Sequence, residues 1–236
     1  MNQDRRIQRL NEKDFYTFED LKTIMDLLRE EDGCPWDREQ THKSIRNCMI
    51  EEAYEVVEAI DTENSDLLKE ELGDVLFQVL FHSRIEFEKN EFSIEDVVND
   101  ICVKMIRRHP HVFSDDAAKD SKSVLASWEQ IKTEEKQRTT LASRLRAVPP
   151  MLPALMRADK IAQKAKLTED QSYGAERISE MFGQLIAESE NPTGDTVGML
   201  LLAISVYATK YGIDAEQALG QAVEREILRI EEKEAE

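Results

Sequence analysis

Two acidic motifs with helical spacing are the part of the sequence best suited to chemistry. Glu51, Glu52 and Glu55 lie close together, and Glu71 and Asp74 follow after a short interval. Residues three or four apart share one face of an α-helix, so each motif would present a compact acidic face. Crowded carboxylates need a compensating charge, and hard divalent cations such as Mg²⁺ and Mn²⁺ prefer oxygen ligands of this kind.

The two motifs lie on neighbouring predicted helices joined by a short link. Apolar periodicity predicts one helix over about Thr41–Ile60 and the next over about Asp66–Lys89, with Ser65 as a candidate N-cap. The short link makes these helices antiparallel, so their acidic faces can meet. The apolar faces predicted for the core are Ile50, Ala53, Val56, Val57 and Ile60 on the first helix and Leu68, Leu72, Val75, Leu76, Val79 and Leu80 on the second. An acidic stripe can also be a solvated surface, and spacing alone leaves both interpretations open.

Composition narrows the fold class and the kinds of partner. The chain has 236 residues and 27.2 kDa, with 8 Gly and 6 Pro, which favours a helical protein over a turn-rich β protein. A net charge of −18 argues against general binding of nucleic acid or anionic membranes. The three cysteines form no disulfide framework, and no signal peptide or membrane span is predicted, so we expect a cytoplasmic protein.

The remaining pattern predicts an all-α protein built as two tandem helical halves, each around a four-helix core. Further helices are predicted over about 18–30, from Ser93 to about His109, and over about 122–138. A proline-rich segment with Pro149, Pro150 and Pro153 suggests a linker. The predicted domains are therefore 15–138 and 154–236, joined by a linker at 139–153. Predicted helices near 176–189, 196–211 and 215–234 repeat the order of the first half.

The acidic motifs and several flanking segments resemble the MazG family of nucleoside triphosphate pyrophosphohydrolases, a group of all-α enzymes. The spacing Glu51-Glu52-x-x-Glu55 followed by Glu71-x-x-Asp74 matches the EExxE…ExxD signature. Other similar segments are Gly33–Asp37 with Gln40-Thr41, Glu71–Gln78, Arg107–Phe113, Trp128–Lys132 and Leu152–Ala158. The resemblance covers about residues 18–165. It implies Mg²⁺-dependent hydrolysis of an NTP or dNTP to the monophosphate and pyrophosphate, in a dimer or larger assembly.

The resemblance also implies roles for individual residues. Those implied to hold Mg²⁺, or Mn²⁺ as a substitute, are Glu52, Glu55, Glu71 and Asp74, and those implied to orient or activate the attacking water are Glu51, Glu52 and Glu55. Those implied to bind the substrate are Lys104, Arg107 and Arg108 at the phosphates, Trp128 and Lys132 near the nucleotide, and Trp36 and Asp37 at the base or sugar. A packing role stays open for Trp128 and Trp36, and a capping role for Asp37.

The second half departs from the family pattern. Around Glu180 one acidic residue remains where three are expected, and Thr196–Met199 has no carboxylate at the ExxD position. We therefore expect activity from the first half and an inactive copy in the second. Two alternatives stay open, a non-catalytic helical interaction protein and an all-α dUTP or dCTP pyrophosphatase. The base preference, the phosphorus that is attacked and the oligomeric state are not dictated by these residues.

Overall fold

The computed structural model describes residues 3–114, 120, 123–124, 127–128, 131–132, 135, 140–187 and 193–234. Its helices are α1 (Gln3–Asn11), α2 (Phe18–Arg29), α3 (Pro35–Glu39), α4 (Arg46–Asp61), α5 (Ser65–Glu88), α6 (Ile94–Arg108), α7 (Pro110–Phe113), α8 (Leu141–Arg146), α9 (Ala154–Ala165), α10 (Ala175–Ala187), α11 (Gly194–Lys210) and α12 (Ala215–Glu234). The described residues contain no β-strand, and the predicted all-α class is confirmed. The chain divides into two compact units, 1–119 and 120–236, while the predicted domain bounds stay a prediction.

The corner between α2 and α3 follows from local sequence chemistry. The Thr17 hydroxyl accepts a hydrogen bond from the Asp20 N–H, and the Asp20 carboxylate accepts one from the Thr17 N–H, which makes a capping box. After α2 the chain turns at Gly33, where a Cβ would lie 2.4 Å from the carbonyl oxygen of Leu27. The sequence Cys34-Pro35-Trp36-Asp37 after Asp32-Gly33 predicts a loop. The structure instead forms the short helix α3 from Pro35, because proline suits the first position of a helix.

Helices α4 and α5 form an antiparallel hairpin whose far end is anchored in the core of the first unit. That core consists of Met25, Ile45, Leu80, Phe81 and Ile85, all 5% exposed or less. The α5 N-cap is Asn64 and not the predicted Ser65, because the Asn64 Oδ1 accepts a hydrogen bond of 3.1 Å from the Leu67 N–H. Helix α6 begins at the predicted cap, Ser93, and packs its first residue, Ile94, against the same core.

The predicted core face of the hairpin is largely wrong. Ile50, Val57 and Ile60 are 42%, 49% and 55% exposed, and on α5 Leu72 and Leu76 are exposed as well. The two helices meet along the faces that carry Glu52 and Glu71, so the opposite apolar face of α4 turns outward. Leu80, in contrast, is buried as predicted. We call Ile50, Ala53, Val57 and Ile60 the α4 apolar stripe.

One arginine joins three helices of the first unit. Arg29 donates two hydrogen bonds to the Glu88 carboxylate, from Nε at 2.8 Å and from Nη2 at 2.7 Å. Its Nη1 also donates to the carbonyl oxygens of Asp37 and Gln40, and the guanidinium lies 5.3 Å from the ring centroid of Phe81. Because the side chain is buried and the carboxylate pairing is bidentate, α2, α3 and α5 are held in one arrangement.

The second unit has its own small core and carries none of the acidic motifs. Helix α11 packs against α9 and α10, and Met181, Leu200 and Ala203 are buried between them. The Thr209 hydroxyl donates a hydrogen bond of 2.9 Å to Asp159, which joins α11 to α9. Of the helix predicted over 122–138, the described positions are helical, and the rest lie outside the described residues.

In the described part of the chain, no individual helix satisfies both length and apolarity for a membrane span. The consecutive helices Gly194–Lys210 and Ala215–Glu234 pass only as a pair, and they are bent by 109°.

A histidine pair ties the segment before α4 to α5. His42 Nδ1 lies 2.7 Å from His82 Nδ1, and His42 Nε2 is hydrogen-bonded to Glu86. Lys89 donates a further hydrogen bond of 2.6 Å to Glu86. A hydrogen bond between two Nδ1 atoms has room for one proton only. Burial lowers the pKa of His82, and the charge of His42 lowers it further.

We expect His82 to contribute a loss of stability as the pH falls from 7.5 to 5.5. Because the pKa of His82 is lowered in the folded state, the unfolded chain binds this proton more readily, and stability is lost below the ordinary histidine pKa of about 6.5. Urea unfolding at the two pH values should show a smaller loss in His82→Gln than in wild type. His111→Gln serves as the control and should keep the wild-type loss; an undiminished loss in His82→Gln would contradict the assignment.

Candidate metal centre

Three carboxylates from the two helices of the hairpin converge at one point. One oxygen atom from each of Glu52, Glu55 and Glu71 lies within 4.8 Å of the other two. Glu71 is only 8% exposed, Glu52 is half-buried and Glu55 is exposed. The cluster therefore has a buried inner wall and an open rim. Among the described residues, no other group of three acidic, histidine or cysteine side chains is this close.

The hairpin positions these side chains through helical spacing and antiparallel pairing. Glu52 and Glu55 are three residues apart on α4, and Glu71 lies on the face of α5 that packs against them. Asp74, one turn further along α5, is exposed and stands outside the three-residue cluster. Its charge nevertheless raises the pKa of Glu52. Three of the four predicted ligands are thus brought together, with Asp74 at the edge.

The pKa values of two of the clustered carboxyl groups are raised above the ordinary glutamate pKa. Burial is the largest cause that raises the pKa of Glu52, followed by its hydrogen bond with Glu55 and the charge of Asp74. Burial likewise raises the pKa of Glu71, and the charge and hydrogen bond of Glu55 add to the effect. The raised pKa values mean that the carboxylate charge of Glu52 and Glu71 is disfavoured in this cluster, and a bound cation would offset that cost.

The donor chemistry fits a hard divalent cation. All three clustered groups and Asp74 offer carboxylate oxygens, with no thiolate or imidazole among them. Mg²⁺ and Mn²⁺ favour such ligands, whereas zinc sites are usually rich in sulfur and nitrogen. The open rim leaves room for ligands that the chain does not supply. The arrangement can hold a cation while an anionic molecule approaches from solvent.

The predicted phosphate-binding residues lie on another helix. Lys104 and Arg107 are exposed near the end of α6, and Arg108 is buried. Within the described residues, the main helix contacts of α6 are with α5 and α7 and not with α4. The groups that shift the pKa of Glu52 and Glu71 are mainly other carboxylates. The proposed contacts of Lys104, Arg107 and Arg108 with substrate phosphates stay predictions.

The predicted nucleotide contacts lie in two places. Trp36 and Asp37 are both on α3, where Trp36 is 60% exposed and Asp37 is buried. Trp128 and Lys132 belong to the second unit, and both are helical and half-buried. Their proposed contacts with a nucleotide stay predictions.

The second unit lacks a comparable acidic cluster in its described part. Glu180 is exposed on α10 and pairs with Arg177 at 3.0 Å, as a surface ion pair does. Thr196 lies in the first turn of α11, where its N–H is capped by the Thr193 hydroxyl. These roles are structural and need no bound cation.

The sequence reasoning assigned no role to Gln78, although it lies one turn beyond Asp74 on α5. It is 9% exposed, and within the described part of the chain its Oε1 has no hydrogen-bond partner. Its spacing of four residues from Asp74 places both on one side of the helix. A polar residue that continues the side of Glu71 and Asp74 by one turn is the signal by which sequence alone could find it.

Comparison with known proteins gives consistent matches. The MazG nucleotide pyrophosphohydrolase domain matches residues 40–113. The chain is 40% identical over 223 residues to "Nucleoside triphosphate pyrophosphohydrolase/pyrophosphatase MazG" of Thermotoga maritima, which covers 92% of this chain and 85% of that protein. It is 42% identical over 225 residues to "Nucleoside triphosphate pyrophosphohydrolase" of Escherichia coli K12, covering 91% and 86%. Identity to "Uncharacterized protein YabN" of Bacillus subtilis is 50% over 147 residues, 62% of this chain and 30% of that protein.

We expect Glu71→Gln to stabilise the protein in EDTA and to weaken its stabilisation by Mn²⁺. Because burial and Glu55 raise the pKa of Glu71, the neutral amide removes an unfavourable charge at pH 8. Wild type at a Mn²⁺ concentration of one hundred times Kd should gain about 2.7 kcal/mol, and the variant much less. Thermal unfolding by circular dichroism measures both effects. Glu58→Gln on α4 is the control; a variant that keeps the full Mn²⁺ effect would show that Glu71 is not a ligand.

Proposed function

The chain belongs to the MazG family of nucleoside triphosphate pyrophosphohydrolases, and from this premise we propose that its first unit hydrolyses nucleoside triphosphates to the monophosphate and pyrophosphate with Mg²⁺. Members of the family are hydrolases, and relatives that bear this activity in their names align over most of the chain. The observation that carries the proposal is the convergence of Glu52, Glu55 and Glu71 within 4.8 Å. No comparable cluster exists in the described part of the second unit.

The carboxylates would hold the cation between the two helices. Glu52, Glu55 and Glu71 supply the clustered oxygens, and Asp74 supplies a further oxygen from the rim. A Mg²⁺ ion held by these carboxylates would supply positive charge to offset that of the substrate phosphates. Mn²⁺ can substitute because it accepts the same ligands.

The other side chains would bind the substrate and direct water. Glu51 is exposed beside Glu52 on α4, where it can orient a water molecule towards phosphorus and accept its proton. Lys104 and Arg108 share one face of α6 and would stabilise charge on the departing pyrophosphate, with Arg107 beside them. Four side chains would contact the nucleotide: Trp36, Asp37, Trp128 and Lys132.

We expect Glu55→Ala and Asp74→Ala to abolish turnover while the helices stay folded. Because even partners behind metal ligands are worth about 10–100-fold, the loss should exceed about 100-fold. A panel of the eight common NTPs and dNTPs, with and without Mg²⁺, should release pyrophosphate only with the cation. Glu180→Ala in the second unit is the control and should leave turnover unchanged. Full activity in Asp74→Ala, or a large loss in Glu180→Ala, would overturn the assignment to the first unit.

We also propose that the enzyme acts as a homodimer or larger assembly. The α4 apolar stripe repeats every three or four residues and is exposed along its length. Helix α12 buries none of its residues, and its exposed apolar side chains include Leu219, Val223, Ile227 and Ile230. Exposed apolar area costs roughly 25 cal/mol per Å², and a long apolar patch on a helix is typical of a protein interface.

We expect Val57→Asp to shift the protein towards a monomer. Val57 is 49% exposed, so an aspartate there should leave the fold of the single chain intact. In a dimer that packs along the α4 apolar stripe, the same aspartate would bury a charge between the two chains. Light scattering after size exclusion should report the change in mass, and circular dichroism should report unchanged helicity. Glu58→Gln is the matched control on the same helix. A Val57→Asp protein with wild-type mass would mean that this stripe is not an interface.

A further inference from the structure

Gln78 has a structural property that the proposed function leaves unexplained. The residue is 9% exposed, and no described residue donates a hydrogen bond to its Oε1. A buried acceptor without a donor costs about 1–3 kcal/mol, and most buried polar groups in folded proteins are paired. The folded chain therefore contains an acceptor that requires a donor from elsewhere.

The position of Gln78 on α5 points to the carboxylate cluster as the place of that donor. Gln78 and Glu71 are seven residues apart, which puts them roughly 20° apart around the helix, and both are buried. Side chains of an α-helix lean towards its N-terminus. The Gln78 amide is therefore directed back along α5, on the side where Asp74 lies about one turn away and Glu71 about two turns away.

The opposite helix supplies no suitable donor at this level. Glu52 interacts with Asp74, so one turn further along the antiparallel pair Cys48 lies level with Gln78. Cys48 packs against the apolar core together with Phe77, and its thiol is a weak donor. Ionised carboxylates only accept hydrogen bonds. A water molecule or a protonated carboxyl group on the side of the cluster can supply the missing hydrogen bond.

We propose that Gln78 is a positioning residue of the cation site, with its Oε1 accepting a hydrogen bond from a water molecule in the hydration shell of the bound divalent cation. This inference rests on the proposed function. Mg²⁺ commonly retains several waters when proteins bind it, and a partner behind the ligands typically changes metal affinity by 10–100-fold. Because the amide oxygen has no partner without the cation, it stabilises the loaded state relative to the empty one.

The substitution that tests this is Gln78→Met in the full chain. Methionine keeps the length of the side chain and removes the acceptor, so the metal-free protein should be as stable as wild type or more stable. Its affinity for Mn²⁺ alone should fall by about tenfold or more. Cys48→Ala, in the same layer of the hairpin, is the control: it should lower the stability to urea and leave Mn²⁺ affinity unchanged.

Electron paramagnetic resonance of free Mn²⁺ measures the affinity without nucleotide or turnover, and urea unfolding in EDTA measures stability. Weaker Mn²⁺ binding with undiminished stability in Gln78→Met supports the inference. Unchanged Mn²⁺ affinity overturns it, and lower stability with unchanged affinity assigns Gln78 to packing alone. If wild type and Glu71→Gln bind Mn²⁺ equally poorly, the cation site and the proposed function fail together. If Glu71→Gln loses Mn²⁺ binding and Gln78→Met keeps it, only the role of Gln78 fails.

Discussion

Mutual repulsion among the hairpin carboxylates is the constraint on which the rest of the first unit depends. Glu52, Glu55 and Glu71 lie within 4.8 Å of one another, and burial raises the pKa of both Glu52 and Glu71. A folded protein tolerates such crowding only when other contacts hold the helices together. The apolar core at the far end of the hairpin, around Phe81 and Leu80, provides those contacts at a distance from the charges.

The hairpin also places the acidic residues and the α4 apolar stripe on opposite sides of the same helix. The contact face between α4 and α5 carries the acids and Gln78, while the outward face of α4 is apolar. A helix that buried its apolar stripe within its own chain would turn Glu52 towards solvent, because these groups lie on opposite sides of α4. In this chain the acids face the neighbouring helix, and the α4 apolar stripe is left exposed. The placement of the charges and the exposure of the stripe are thus two results of one rotation of α4.

Much of the fold could be predicted from sequence because its local signals are strong. Thr17 and Ser93 make capping boxes that fix where α2 and α6 begin, and the spacing of Glu52, Glu55 and Glu71 predicted their convergence. The apolar face of α4 was predicted as core, because periodicity shows which residues share a face and not what covers them. Helix α3 was predicted as a loop, since five residues are too few for a periodic signal. The orphaned oxygen of Gln78 depends on its neighbours in space, which no local pattern contains.

The contacts of Arg29 have a consequence for α3 and its exposed tryptophan. Because Arg29 is bound to the backbone carbonyls of Asp37 and Gln40 and to the Glu88 carboxylate at once, α3 has little freedom to swing. The exposed indole ring of Trp36 is therefore carried by a helix whose position is fixed. Stacking of a planar ligand on this ring would cost less conformational entropy than stacking on a tryptophan in a mobile loop. A lysine in place of Arg29 could not make the same contacts, because it carries one point charge and not a planar group with several donors.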